Sequence, residues 1–164
     1  MNMFLFNTIN SLSKNPFISI FSVFLSYILV YLIIISLIIW IIFYQEQIKK
    51  LFSTLLIALS TIVTWLIAEI IKNVSAINRP IIINPIIVEK GFSFPSVHAS
   101  LTMVIAVVML CSLNKKIGVW LIFFSVLIGI SRVVLGVHYP VDVLAGWILG
   151  SIIGFVFIKL FNKL

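Results

Sequence analysis

The sequence predicts an all-α integral membrane protein: a bundle of about five transmembrane helices, preceded by a short segment that either forms an interfacial helix or frays. Three observations lead there. Of 164 residues, 63% are hydrophobic and 9% charged, where a soluble domain carries about a quarter charged residues. The apolar residues gather into five stretches, each near the roughly 20 residues that cross a bilayer as a helix. All but one of the connections between them are short, and two of the short ones carry paired lysines. With lipid as solvent, each crossing must satisfy its own backbone polar groups, which selects helices.

The elements follow in order. Residues 1–16, MNMFLFNTINSLSKNP, are too short and polar to span; Met3, Phe4, Phe6, Ile9 and Leu12 share one face that suits a membrane surface. The first span runs from about Phe17 to Tyr44, too long for a signal-peptide core. The second covers about Leu51–Ile71, the third Ser96–Leu113, the fourth Ile117–Val137 and the fifth Pro140–Phe161. A longer connection, residues 72–95, holds Pro80 and Pro85, which argue against one continuous helix. Its apolar segment IIINPII is expected to dip into the leaflet. The whole chain, 1–164, reads as one domain.

Lys49, Lys50, Lys115, Lys116, Lys159 and Lys163 fall on one face, against Lys14 and Lys90 on the other once Lys72, Arg79 and Arg132 are set aside. The lysine-pair face is therefore expected to be cytoplasmic. Trp40, Tyr44 and Trp120 sit where an inner aromatic belt belongs. The net charge of +7 is read as topology and attraction to anionic headgroups, with no nucleic-acid partner. Cys111 reads as a small buried hydrophobe. Gly146, Gly150 and Gly154 form a smooth ridge on the fifth span, for packing inside the monomer or for a dimer seam. Oligomeric state stays open. Thr102 and Ser125 are expected to bond their own helix backbones, and Glu69 to pair with Lys72 three residues on.

Three polar clusters share the opposite face: KNVSAINRP after the second span, PSVH opening the third, and SRVVLGVHYPVD between the fourth and fifth. Lys72, Arg79 and Arg132 offer positive charge and N–H donors, the arginines in two-pronged form. The third helix begins after Pro95, and its N-terminus is a ready anion site, where Ser96 either caps the helix or donates to a ligand oxygen. A phosphate fits such a cup. Asp142 can accept a bond from one imidazole nitrogen of His138, leaving the other free to attack phosphorus. His98, near the anion site, can protonate a leaving oxygen. No cluster has metal-ligand spacing, and the cations can neutralise transition-state charge without a metal or other cofactor.

Together the clusters resemble the signature of the type 2 phosphatidic acid phosphatase (PAP2) superfamily: Lys, six residues, Arg-Pro; then Pro-Ser-Gly-His; then Ser-Arg, five residues, His, three residues, Asp. Order and internal spacing agree over residues 72–142. The resemblance implies His138 as nucleophile, His98 as general acid and Asp142 as orienting carboxylate. It implies Lys72, Arg79, Ser96, Val97 and Arg132 as phosphate contacts, with no metal. Two departures stand out: Val97 replaces the motif glycine, and five spans are found where the family generally has six.

The implied activity is removal of the terminal phosphate from a membrane lipid phosphate or diphosphate through a phosphohistidine. Undecaprenyl diphosphate is the first expectation for the substrate, and phosphatidylglycerophosphate or phosphatidate the second. A non-catalytic lipid-binding member of the fold is the alternative that Val97 leaves open. The expected location is the cytoplasmic membrane, with the site on its outer side.

Overall fold

The computed structural model describes residues 3–44, 47–82 and 85–161. Ile83, Asn84 and Lys163 lie outside the described residues, as do the side chains of Tyr44, Lys49 and Lys50. The parts of the charge count, the aromatic belt and the dipping segment that rest on them go with them. Among the described residues the ordered elements are helical: α1 (Met3–Asn10), a 3₁₀ turn (Ser11–Lys14), α2 (Pro16–Val23), a π turn (Phe24–Ile28), α3 (Leu29–Tyr44), α4 (Gln47–Ser75), α5 (Val97–Val108), a second π turn (Met109–Leu113), α6 (Lys115–Val134) and α7 (Pro140–Phe161).

Four of these runs are long and apolar enough to cross a membrane: Pro16–Phe43, Leu51–Ser75, Lys115–Val134 and Pro140–Phe161. The fifth apolar helix, Val97–Leu113, is shorter and the most deeply packed, with Ala99, Val104, Ala106 and Val108 fully buried. The protein is thus integral to a membrane. The second span continues past the expected Ile71 to Ser75, so Lys72 lies on the helix.

Small residues let the helices approach α5. On α4, Ser53, Leu56, Ser60, Thr64 and Ala68 recur at helical spacing and are all buried. The hydroxyls of Ser60 and Thr64 bond their own helix, at the Ile57 carbonyl (3.1 Å) and the Ser60 carbonyl (2.7 Å). On α7 the glycine ridge faces α5, inside the monomer. A Cβ at Gly146 would lie 2.6 Å from the Ser96 carbonyl oxygen, and one at Gly150 2.3 Å from that of Ser100. Thr102 does bond its own helix, at His98 O. Ser125 does not: its hydroxyl crosses from α6 to meet Thr102 Oγ1 at 2.8 Å. In a lipid-solvated bundle such inter-helix hydrogen bonds tie helices where the hydrophobic effect cannot. Cys111 is exposed, not buried, because the π turn rotates it off the packed face.

The N-terminal residues do form a helix. Phe6 of α1 is buried with its ring 5.3 Å from that of Tyr139, and Asn10 Nδ2 donates to the Val134 carbonyl at 2.8 Å. That carbonyl ends α6, three residues before the expected Val137. Gly136 takes the left-handed φ of 73° and lets the chain close a Schellman turn. Val137 N–H donates to Arg132 O and Gly136 N–H to Val133 O. The turn stops α6 one residue short of Leu135 and releases His138 from helical geometry.

Candidate active site

At the end of α7 nearest this turn, Pro140 occupies the first helical position, where its missing N–H costs nothing. Asp142 then falls three residues into the cap, and its Oδ2 accepts from the Tyr139 N–H at 2.8 Å, as the acidic residue of a capping box does. This cap fixes the carboxylate under His138. His138 Nδ1 lies 3.6 Å from Asp142 Oδ2, beyond a full hydrogen bond but facing it. Both side chains are buried, and neither Nδ1 nor Asp142 Oδ1 has another partner.

The other imidazole nitrogen, Nε2, is 3.3 Å from Arg79 Nη1. Arginine only donates, so Nε2 accepts and the proton of the neutral ring sits on Nδ1, towards Asp142. Burial lowers the His138 pKa to about 4 against the pull of Asp142, and the charges of Arg132 and Arg79 push the same way as burial. The ring is therefore neutral near pH 7, with its lone pair on the nitrogen beside a guanidinium.

Arg79 reaches this position from the α4–α5 connection and is held by backbone. Its Nη1 donates to Val137 O at 2.8 Å, and its Nε donates to Gly91 O at 3.2 Å. Arg132, in the last turn of α6, is completely buried, and its Nε and Nη1 have no partner. Ser96 takes the N-cap position of α5 without capping it. Its Oγ is likewise buried and unpartnered, while its N–H donates to the Asp142 carbonyl at 3.0 Å. Val97 opens the helix half-buried. His98 follows, half-buried, its ring 6.2 Å from Tyr27 in an edge-on contact and within electrostatic reach of Arg132, Glu89, His138 and Lys72.

The structure thus brings Arg79, Arg132, Ser96, His98, His138 and Asp142 to one end of the bundle, opposite the Lys115 end of α6. Lys72 stands at the margin. Its Nζ is 3.5 Å from Glu69, the helical pair expected, and Lys72 makes no hydrogen bond to the other six.

Two further residues belong to the cluster. Glu89 Oε2 is 3.1 Å from Arg79 Nη1, and its Oε1 pairs with Arg132 Nη2. Burial alone would raise its pKa, but Arg132, Tyr27 and Arg79 hold it down to about 2. Tyr27 donates its hydroxyl to Glu89 Oε1 at 2.9 Å, and its ring lies 5.6 Å from the Arg132 guanidinium. A signal for Glu89 was present: it is one of only four acidic residues, and it lies on the face where the cations gather. Tyr27 carried none, since its direction is set by the π turn in the first span, a distortion often found at functional sites.

Chemically, the arrangement offers unpaired N–H and O–H donors around a neutral imidazole, with a second imidazole nearby. Among the described residues no group of three or more His, Cys, Asp or Glu is placed to hold a metal ion.

The family model described as the PAP2 superfamily matches residues 53–164, well over half the chain. Among curated proteins, the undecaprenyl-diphosphatase of Sulfolobus acidocaldarius is 35% identical over 120 residues, covering 70% of this chain and 57% of that protein. The undecaprenyl-diphosphatase BcrC of Bacillus subtilis is 46% identical over 67 residues, 41% of this chain and 34% of that protein. The chain therefore spans between about a third and somewhat over half the length of these two relatives. Two crystal structures superpose over most of their length. LpxE of Aquifex aeolicus gives a TM-score of 0.75 at 28% identity, covering 96% of this chain and 94% of that one. The PAP2-type phosphatidylglycerolphosphate phosphatase of Bacillus subtilis gives 0.73 at 26%, covering 100% and 89%.

Proposed function

The chain belongs to the PAP2 superfamily, and from that premise we propose that it is a membrane lipid phosphatase working as a single domain. Arg79, Arg132, Ser96 and Lys72, with the first-turn N–H groups at Val97, bind the terminal phosphoryl group. His138 Nε2 attacks phosphorus as the bond to the leaving oxygen breaks, and His98 gives that oxygen a proton. Asp142 orients His138 and stabilises the imidazolium. A water then attacks the phosphohistidine with His98 as base, releasing inorganic phosphate and a lipid with one phosphate fewer. Developing charge is met by the guanidiniums, and the rate is expected to withstand EDTA.

One observation carries this reading: His138 presents Nε2 to a guanidinium at 3.3 Å while Nδ1 faces a buried carboxylate. That is the polarity a nucleophilic imidazole needs beside an anionic substrate.

The substrate we favour is undecaprenyl diphosphate, on the strength of the two diphosphatase relatives. Likeness to the phosphatidylglycerolphosphate phosphatase favours phosphatidylglycerophosphate or phosphatidate as the second reading. The site is assigned to the outer side of the cytoplasmic membrane, because the end of the bundle opposite it carries Lys115, Lys116 and Lys159. The test is phosphate release from detergent-solubilised undecaprenyl diphosphate and phosphatidate at equal surface concentration. His138→Ala should abolish release, and unchanged release would remove His138 from its role. Activity that arises only in Val97→Gly would favour a non-catalytic native protein.

A further inference from the structure

Glu89 stands outside the motifs, yet it makes the closest ionic contacts in the site. Its two carboxylate oxygens bridge Arg79 Nη1, at 3.1 Å, and Arg132 Nη2, with the Tyr27 hydroxyl on the same oxygen as Arg132. A guanidinium has two two-pronged faces, Nε with Nη2 and Nη1 with Nη2. Nη2 belongs to both, and on Arg132 it is the nitrogen Glu89 holds. Arg132 Nε and Nη1 and Ser96 Oγ remain buried without partners. The donors for an oxyanion larger than a carboxylate are assembled, and a carboxylate stands among them.

We propose that Glu89 is a specificity-determining residue: a resident anion that fills the Arg79–Arg132 cradle until a doubly charged terminal phosphoryl group displaces it, so that singly charged phosphodiester headgroups are kept out. The inference rests on the phosphatase reading above. A cationic cup at headgroup level faces a dense field of anionic phosphodiesters. With Glu89 in place, a phosphodiester exchanges one single charge for another and brings only two unesterified oxygens. A terminal phosphoryl group brings a charge of about −1.5 to −2 and three acceptor oxygens, so it gains where the diester does not. Glu89 stays ionised, at a pKa of about 2, wherever phosphate esters are doubly charged. The neighbouring Val88 and Lys90 side chains are exposed, while Arg79 holds the Lys90 and Gly91 carbonyls, so the carboxylate yields by rotation of its own side chain.

The experiment uses the full chain in phosphatidylcholine mixed micelles, with undecaprenyl diphosphate as substrate and phosphatidylglycerol as competing diester. Wild-type kcat/KM should change less than twofold as phosphatidylglycerol rises to equal the phosphatidylcholine. Glu89→Gln should show a lower KM in phosphatidylcholine alone and at least fivefold inhibition by the same phosphatidylglycerol. Equal inhibition of both proteins overturns the proposal. So does a folded Glu89→Gln that has lost turnover, since Glu89 would then be holding the arginines for substrate and not yielding them. A second measurement is independent of turnover: saturating inorganic phosphate should raise the Tm of Glu89→Gln more than that of wild type, and an equal or smaller rise counts against the idea. Failure of the phosphatase reading looks different. Neither protein would then release phosphate, while the phosphate-dependent Tm would still report whether Glu89 guards the arginines.

Discussion

The Ser96 N–H donates to the Asp142 carbonyl at 3.0 Å, and this one bond joins the start of α5 to the start of α7. The same Asp142 caps its own helix through Tyr139 and faces His138. One residue therefore sets the spacing between the proposed anion site and the proposed nucleophile. Asp142→Asn keeps the shape and removes the charge that favours an N–H on Nδ1. We expect kcat to fall on the order of 100-fold or more with little change in KM. Tm should fall by the equivalent of about 1 kcal/mol from the weakened cap. Steady-state kinetics and thermal unfolding in detergent measure the two effects separately.

Arg132 and Glu89 form a charge pair whose arginine is wholly buried. Arg132→Ala should cost on the order of 3 kcal/mol, because it leaves a carboxylate short of its partner in a poorly hydrated site. Arg132→Ala combined with Glu89→Ala should recover part of that loss. Equal stability of the single and double variants would show that Arg79 alone satisfies the carboxylate.

His138 predicts a pH effect with a definite sign. Its imidazole takes a proton near pH 6.5 when unfolded but only near 4 when folded. Protonation therefore favours the unfolded chain. The stabilisation from His138 is complete above about 6.5 and is lost as pH falls through about 4, up to about 3 kcal/mol in all. Tm against pH, compared between wild type and His138→Asn, isolates the effect, and the gap between the two curves should narrow on acidification.

Gly150 is a packing prediction. A Cβ there would lie 2.3 Å from the Ser100 carbonyl oxygen, which is backbone and cannot yield. Gly150→Ala should push α7 from α5 at a cost of about 1–3 kcal/mol and lower turnover by shifting Asp142 against Ser96. Ser151→Ala on the same helix is the control.

The architecture was largely legible because the solvent is lipid. Apolar length alone located the spans, and the fifth agrees at both ends, Pro140 and Phe161. Two ends were misplaced: the second span runs on from Ile71 to Ser75, and in the fourth Gly136 in a left-handed turn overrode an apolar run reaching Val137. The clusters were legible as a constellation because spacing fixes which residues share a helix end. What the spacing could not reveal was occupancy. Ser96, readable either as a cap or as a donor to a ligand oxygen, leaves its hydroxyl free, and Lys72, expected both to contact phosphate and to pair with Glu69, makes the pair that their spacing predicted. Glu89 closes the cradle from a connection without regular structure, and such a contact depends on tertiary packing that no local pattern records. Ser125 and Cys111 departed from expectation for a related reason: packing and the π turn, not helical periodicity, decide where they point.

The most direct test of the central claim, that a cationic cup holds a phosphoryl group against His138, is to trap the intermediate. The enzyme is mixed with undecaprenyl diphosphate radiolabelled in its terminal phosphate, quenched in alkali to preserve phosphohistidine, and digested for mass spectrometry. Label on the peptide containing His138, absent from His138→Ala, is the predicted result. Turnover with label on another residue, or with none on His138 under single-turnover conditions, would contradict it.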